Sequence, residues 1–303
     1  MREAEAGTRE DRTAGGLLGL ALGDALGAPH EGDPIETRPW WTGAGSAPGP
    51  LRWTDDTQMA LVLAEHLVEH GEVLQDELAR SWAETCDPRR GYGMGALRLL
   101  RRVRSGADWR NANRSVFEEG SYGNGAAMRA APLGLRFAED PATLDRATVA
   151  ASEITHAHPL GIEGALLLSR AAALALTTPD PAPDQVLTKL RRRARQEPFR
   201  RRLDLAGNLL GNRPAPEEIV GALGNSVVAH RSVVTAIYCF LRHRPDDFLE
   251  LQETVVSLGG DVDTLGAMSG ALWGAVRGLA ELPGFLLERL EARDRLEGVG
   301  RRL

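Results

Sequence analysis

Three short segments concentrate carboxylates beside hydroxyls and glycines: GDALGAPHEG (23–32), WTDDTQ (53–58) and GGDVDTLG (259–266). Each lies where a loop meets a helical pattern, so each is a loop–helix junction. A single acid or threonine at such a junction is an N-cap, its side-chain oxygen accepting a helix N–H. Capping uses one residue per helix, and these segments hold more: Thr54 with Asp55 and Asp56, Asp261 and Asp263 with Thr264, and Glu31. On a regular helix Asp261 and Asp263 would point about 200° apart. They converge only where the backbone is irregular, which Gly259 and Gly260 permit. Gathered in space, Glu31, Asp55, Asp56, Asp261 and Asp263 would raise one another's pKa values and partly neutralise, unless cations held them ionised. Two divalent ions would do so. Carboxylates and hydroxyls without cysteine or a clear histidine ligand are hard donors, which favour Mg2+ first and Mn2+ second over zinc. Helix caps and a binuclear centre both remain open from the residues alone.

Residues so far apart in sequence need a large scaffold to meet. The chain has 303 residues, 43% hydrophobic and 26% charged, the balance of a folding chain. Aromatics are only 5%, while Ala, Leu and Gly abound, which suits packed helices better than sheets. Helical periodicity marks 13–26, 59–70 before Gly71, 73–82, 96–104, 161–176 and 232–242, and strand-like alternation is scarce. The expectation is an all-α, single-domain orthogonal helical bundle. The Pro-rich loop 177–184 is the only candidate boundary, and no composition shift crosses it. The chain therefore reads as a flexible tail over 1–12 and one domain over 13–303. Two glycine stripes, Gly15, Gly19, Gly23, Gly27 and Gly266, Gly270, Gly274, Gly278, repeat at a spacing of four. Each helical glycine costs about 1 kcal/mol relative to alanine, so close approach of helix backbones must compensate. Asp24 and Arg277 in the same stretches favour a buried contact in a soluble protein over a membrane dimer.

A net charge of -6 argues against a general nucleic-acid surface, and the basic stretch 190–202 reads as a solvated helix face. Lys189 is the only lysine; the remaining positive charge is arginine. Cys86 and Cys239 make neither a disulfide framework nor a metal spacing, as in a reducing compartment. The N-terminus lacks an apolar signal core, and the apolar runs, broken by Arg170 and Arg277, fall short of a membrane span. A cytoplasmic monomer without membrane contact is expected.

The motifs GDALG, WTDDTQ, RGYGMG (90–95), SYGNGAAMR (121–129), ITHAHPLG (154–161) and GGDVDT occur in order over 13–284. In this the sequence resembles the ADP-ribosylglycohydrolase family, which includes dinitrogenase-reductase-activating enzymes and animal ADP-ribosylhydrolases. The resemblance implies an all-α domain with a binuclear magnesium or manganese centre. By position, Thr54, Asp55 and Asp56 resemble ligands of one ion, Asp261 and Thr264 of the other, and Asp263 of both. Glu31 resembles the family's mobile acid and, with Asp261, is the candidate for catalysis. Gly120, Ser121, Tyr122, Gly123 and Asn124 resemble a diphosphate cradle whose glycines expose backbone N–H groups. His156 matches a histidine beside the bound nucleotide, and Phe117 would stack on adenine.

The implied substrates are ADP-ribosylated proteins or small molecules containing ADP-ribose, the scissile bond leaving the anomeric carbon through an oxocarbenium-like state. The SYGNGAAMR, ITHAHPLG and TAIYCFLR (235–242) segments lean toward the branch that removes serine-linked ADP-ribose and degrades poly(ADP-ribose), with O-acetyl-ADP-ribose as a related substrate. GDALGAPHEG and the pair His158 and Pro159 look like the branch that cleaves ADP-ribosyl-arginine. A non-catalytic ADP-ribose binder or structural protein is the alternative of another class. It would carry a damaged acid cluster, and here all five acids and both threonines are present.

Overall fold

In the computed structural model, residues 7–42, 49–178, 180, 182–212 and 214–303 are described, and they form sixteen α-helices without a strand. In order these are α1 (Arg9–Gly27), α2 (Asp55–His70), α3 (Gln75–Thr85), α4 (Met94–Arg104), α5 (Trp109–Val116), α6 (Ala131–Arg136), α7 (Pro141–Glu153) and α8 (Pro159–Thr177). There follow α9 (Pro183–Arg193), α10 (Glu197–Leu210), α11 (Pro216–Leu223), α12 (Val233–His243), α13 (Phe248–Ser257), α14 (Val262–Arg277), α15 (Gly284–Leu287) and α16 (Arg293–Gly300). Pro141, Pro159, Pro183 and Pro216 each open a helix, where the missing N–H is one the helix does not use. Helix α2 starts on Thr54, whose side chain accepts from the Asp56 N–H, and stops at Gly71 in the left-handed region. One continuous apolar core runs from Leu17 to Leu303.

At its centre the two glycine stripes face each other, one on α1 and one on α14. A Cβ on Gly19 would fall on the Gly270 carbonyl oxygen, and one on Gly270 would fall on that of Gly19. Gly23 and Gly266 oppose each other in the same way, as do Gly15 and Gly274. The backbones touch, which is the gain that offsets the low helix propensity.

Two sequence expectations need correction. The tail is shorter than 1–12, because α1 begins at Arg9 and Arg12 is buried. The Arg12 guanidinium donates to the Ala275 and Ala175 carbonyls, at 2.9 and 2.6 Å, in the last turns of α14 and α8. A cation there complements both helix dipoles, so the tail's arginine becomes part of the core; residues 1–6 lie outside the described ones. Second, α8 is long and apolar enough to cross a membrane, although no such segment was expected; 67% of its apolar window is buried inside the protein. It is a core helix, and its apolar faces are covered by protein.

Candidate active site

The α1–α14 contact ends where the acids begin. A Cβ on Gly27 would lie 2.6 Å from the Asp263 Cα, so the last glycine of the α1 stripe seats the first turn of α14. Gly259 and Gly260 both have positive φ, 64° and 74°. Asn225 brackets this loop, its side chain donating to the Leu258 and Gly259 carbonyls and its own carbonyl accepting from the Asp261 N–H. Asp261 occupies the N-cap position at φ -86°, ψ 60°, yet caps nothing; its carboxylate instead accepts from Asn124 Nδ2 at 2.5 Å. This non-helical residue lets the Asp261 and Asp263 carboxylates approach each other. Glu31 follows the short turn Ala28–His30, and its loop is pinned by Gly32 N–H to the Gly260 carbonyl, 2.8 Å, and Gly260 N–H to the Asp33 carbonyl, 3.1 Å. Glu31, Asp261 and Asp263 thus bring ligand oxygens within 4.8 Å of one another.

Asp55 and Asp56 enter from α2. Arg90 fixes their segment by donating to the Trp53 carbonyl, stacking 3.7 Å above the Trp53 ring and pairing with Glu291 at 2.6 Å. Asp24, fully buried on α1, accepts from the N–H groups of Thr54 and Thr57, each at 3.0 Å, and from the Thr57 hydroxyl at 2.6 Å. It is a tertiary cap that docks the start of α2 onto α1. Sequence reading assigned Asp24 no role in the site; an acid inside an otherwise apolar helix was the signal that could have found it.

All five predicted acids line one cavity of about 320 Å³, with Arg129 the only arginine or lysine on its wall among the described residues. Burial, then the Asp24 charge, lifts Asp55 to about 7, and burial lifts Asp24 to about 6. Burial first, then Asp263, pushes Asp56 well up; burial, then Asp261, does the same to Asp263; burial also raises Asp261. Asp56 Oδ1 is buried without a hydrogen-bond partner. An excess of buried carboxylates, with an orphaned oxygen and hydroxyl neighbours, fits hard divalent cations.

The same cavity is lined by Phe117, Ser121, Gly123, Asn124, Gly125 and His156, with Asn124 reaching the Asp261 carboxylate. Gly95 makes room for the Phe117 ring, since a Cβ there would come 2.5 Å from Phe117 Cε2. The N–H groups of Ser121 and Tyr122 have no acceptor among the described residues, which leaves two adjacent donors for an anion. Gly120, Tyr122 and Thr54 are not on the cavity wall. Gly120 packs against the backbone of Ala157 and His158, Tyr122 stands edge-on to His158 with ring centroids 5.5 Å apart, and Thr54 caps α2. Sequence reading assigned no role to Met59, Met128, Arg129 and Thr155, which also line the cavity, although Met128 and Arg129 end the SYGNGAAMR motif and Thr155 lies in ITHAHPLG.

An all-α scaffold presenting buried acids at helix starts opposite a glycine loop defines a site suited to hydrolysis of an anionic ligand with cation assistance. The ADP-ribosylglycohydrolase family profile matches residues 5–303, and the chain belongs to that family. It is 33% identical to the ADP-ribosylhydrolase ARH3 of Bos taurus, over 90% of this chain and 86% of that one. Identity to ARH3 of Homo sapiens is 32%, over 90% and 87%. A solved ADP-ribosylglycohydrolase-related protein complex superposes with a TM-score of 0.76 at 31% identity, covering 97% of each chain. The protein is accordingly a glycosyl hydrolase acting on ADP-ribose linkages.

Proposed function

We propose that this enzyme releases ADP-ribose from O-linked serine and degrades poly(ADP-ribose), with O-acetyl-ADP-ribose a further substrate, using two Mg2+ ions. The observation that carries this is a single cavity lined both by five acids and by a loop whose Ser121 and Tyr122 N–H groups have no acceptor among the described residues. The diphosphate would lie on the Ser121 to Gly125 loop, the adenine against Phe117, and the distal ribose toward the acids. Asp55 and Asp56 would hold one cation, with the Thr54 hydroxyl reaching it from the α2 cap beside Asp56, 3.2 Å away; Asp261 and Thr264 would hold the other, and Asp263 both. Bound there, the ions would supply Lewis acidity and an activated water. Glu31 is exposed and within 4.8 Å of Asp261 and Asp263, so it can exchange a proton at the scissile bond without being a permanent ligand. Asn124 holds the Asp261 carboxylate in place, and Asp24 holds the α2 start against α1.

The ARH3 relatives, 33% identical in Bos taurus, are named ADP-ribosylhydrolases, which supports hydrolysis of an ADP-ribose linkage; the serine and polymer branch rests on the SYGNGAAMR, ITHAHPLG and TAIYCFLR segments. The pair His158 and Pro159, which leaned the other way, has an architectural role here: His158 Nδ1 accepts from the Leu160 N–H to cap α8. Incubating the protein with serine-linked, arginine-linked and polymeric ADP-ribose, with and without Mg2+, tests the proposal. Mg2+-dependent release from the serine-linked and polymeric substrates is expected. Release from arginine alone would overturn the branch, and release from none would overturn the function.

A further inference from the structure

Behind the glycine loop lies a row of polar groups that hydrolysis itself does not use. Arg129 is 2% exposed, with no carboxylate partner among the described residues; its guanidinium lies 4.1 Å above the Trp82 ring and 3.5 Å from the Met59 sulfur. Its Nη2 donates to Thr155 Oγ at 2.6 Å, and Thr155 Oγ is 2.7 Å from His156 Nδ1. A guanidinium can only donate, so the direction of the first bond is fixed at its source. The Thr155 hydroxyl has one proton to place, and His156 Nδ1 is its only acceptor among the described residues. A proton on Nδ1 would strand that hydroxyl proton in a buried position, a cost that the opposite tautomer avoids. Burial beside Arg129 also drives the imidazole down to about 3, so the ring is neutral. With Nδ1 accepting, the single ring proton sits on Nε2. That atom faces the loop: a Cβ on Gly125 would crowd it at 3.1 Å, while one on Gly123 would only touch it at 3.5 Å.

We propose that Arg129 and Thr155 are positioning residues that lock His156 in its Nε2–H tautomer, so that it presents a fixed donor to a ligand oxygen held over the Ser121 to Gly125 loop. The ligand half of this rests on the cavity taking ADP-ribose; the tautomer half does not. A neutral histidine is otherwise free to offer either a donor or an acceptor. Coupled to an arginine through a hydroxyl, it offers only the donor, which suits phosphate or ribose oxygens and rejects groups that themselves need an acceptor.

Long-range proton–nitrogen NMR on the 15N-labelled full chain reads the tautomer directly, with the His156 signals assigned by their loss in His156→Gln. The Nε2–H pattern is expected in wild type and in Thr155→Ser, and a mixed or Nδ1–H pattern in Thr155→Val. ADP-ribose affinity by calorimetry should fall roughly tenfold in Thr155→Val, the usual effect of one buried hydrogen bond, and recover to within about threefold in Thr155→Ser. A merely structural threonine would lose affinity without changing tautomer. An Nδ1–H ring in wild type overturns the proposal whether or not the variants fold, as does a Thr155→Val protein with unaltered tautomer and affinity. A wild type that shows the Nε2–H ring yet binds no ADP-ribose refutes the ligand assignment and upholds the tautomer lock.

Discussion

The two walls of the cavity are built on opposite principles. The acids stand at the ends of α1, α2 and α14; α1 and α14 touch through paired glycines, α2 is docked onto α1 by Asp24, and most of the carboxylates are buried. The glycine-loop side is made of loops, with Phe117 at 43% exposure and Val227 at 60% on the cavity lining and Tyr122 at 52% beside it. Chemistry on an anomeric centre needs oxygens held to fractions of an ångström, which packed helices provide. Recognition of a flat base and a chain of phosphates needs reach and surface, which loops provide. The Glu31 loop bridges the two: exposed like the rim, yet hydrogen-bonded through Gly32 and Asp33 to Gly260 of the acid wall.

The comparison breaks hardest at the glycine contact. Gly270→Leu puts a side chain onto the Gly19 carbonyl oxygen, where backbone cannot yield, so a destabilisation beyond about 3 kcal/mol and loss of soluble protein are expected. Unchanged thermal unfolding would mean that the stripes are not in contact. Next comes Glu31→Gln, which removes the group proposed to exchange the proton and leaves both walls standing. The turnover rate should fall at least about a hundredfold while ADP-ribose affinity stays within a few-fold, a split that single-turnover kinetics and calorimetry resolve.

On the rim, Phe117→Ala should raise KM about tenfold with little change in kcat, since stacking on a base is worth roughly 1–3 kcal/mol and is shared by ground and transition states. An equal loss in kcat would assign Phe117 to the chemistry instead. The smallest effect concerns charge. Burial raises the Asp263 pKa, so between its unfolded value and its higher folded one the native state holds the extra proton. Stability from this group therefore falls as pH rises through that window, in the absence of metal. Asp263→Asn should raise the melting temperature of the metal-free protein at pH 8 by about 2 °C or more, with the gain shrinking toward pH 5. Wild-type protein should recover the difference on adding Mg2+, because a bound cation removes the penalty. A gain larger at pH 5 than at pH 8 would contradict the sign.

Much was written locally in the sequence. Periodicity gave six of the sixteen helices, a spacing of four gave the glycine stripes, and two carboxylates with a threonine at each of two helix starts exceeded what caps require. The excess of acids alone predicted a cluster that would need cations, because like charges gathered out of water must be neutralised somehow. Tertiary structure decided which groups have no local signature. Asp24 reads as a lone acid in α1 and becomes the cap of α2 only because the Thr54 and Thr57 N–H groups arrive 30 and 33 residues later. Asp261 reads as an N-cap and is turned away from that role by Asn124, which arrives from 137 residues earlier in the chain. Arg129 and Thr155 lie in the SYGNGAAMR and ITHAHPLG motifs without any local sign that they would be buried in contact with each other. Sequence pattern fixes what a residue does to its own helix, within a few residues; a hydrogen bond between distant segments depends on packing that no local spacing encodes.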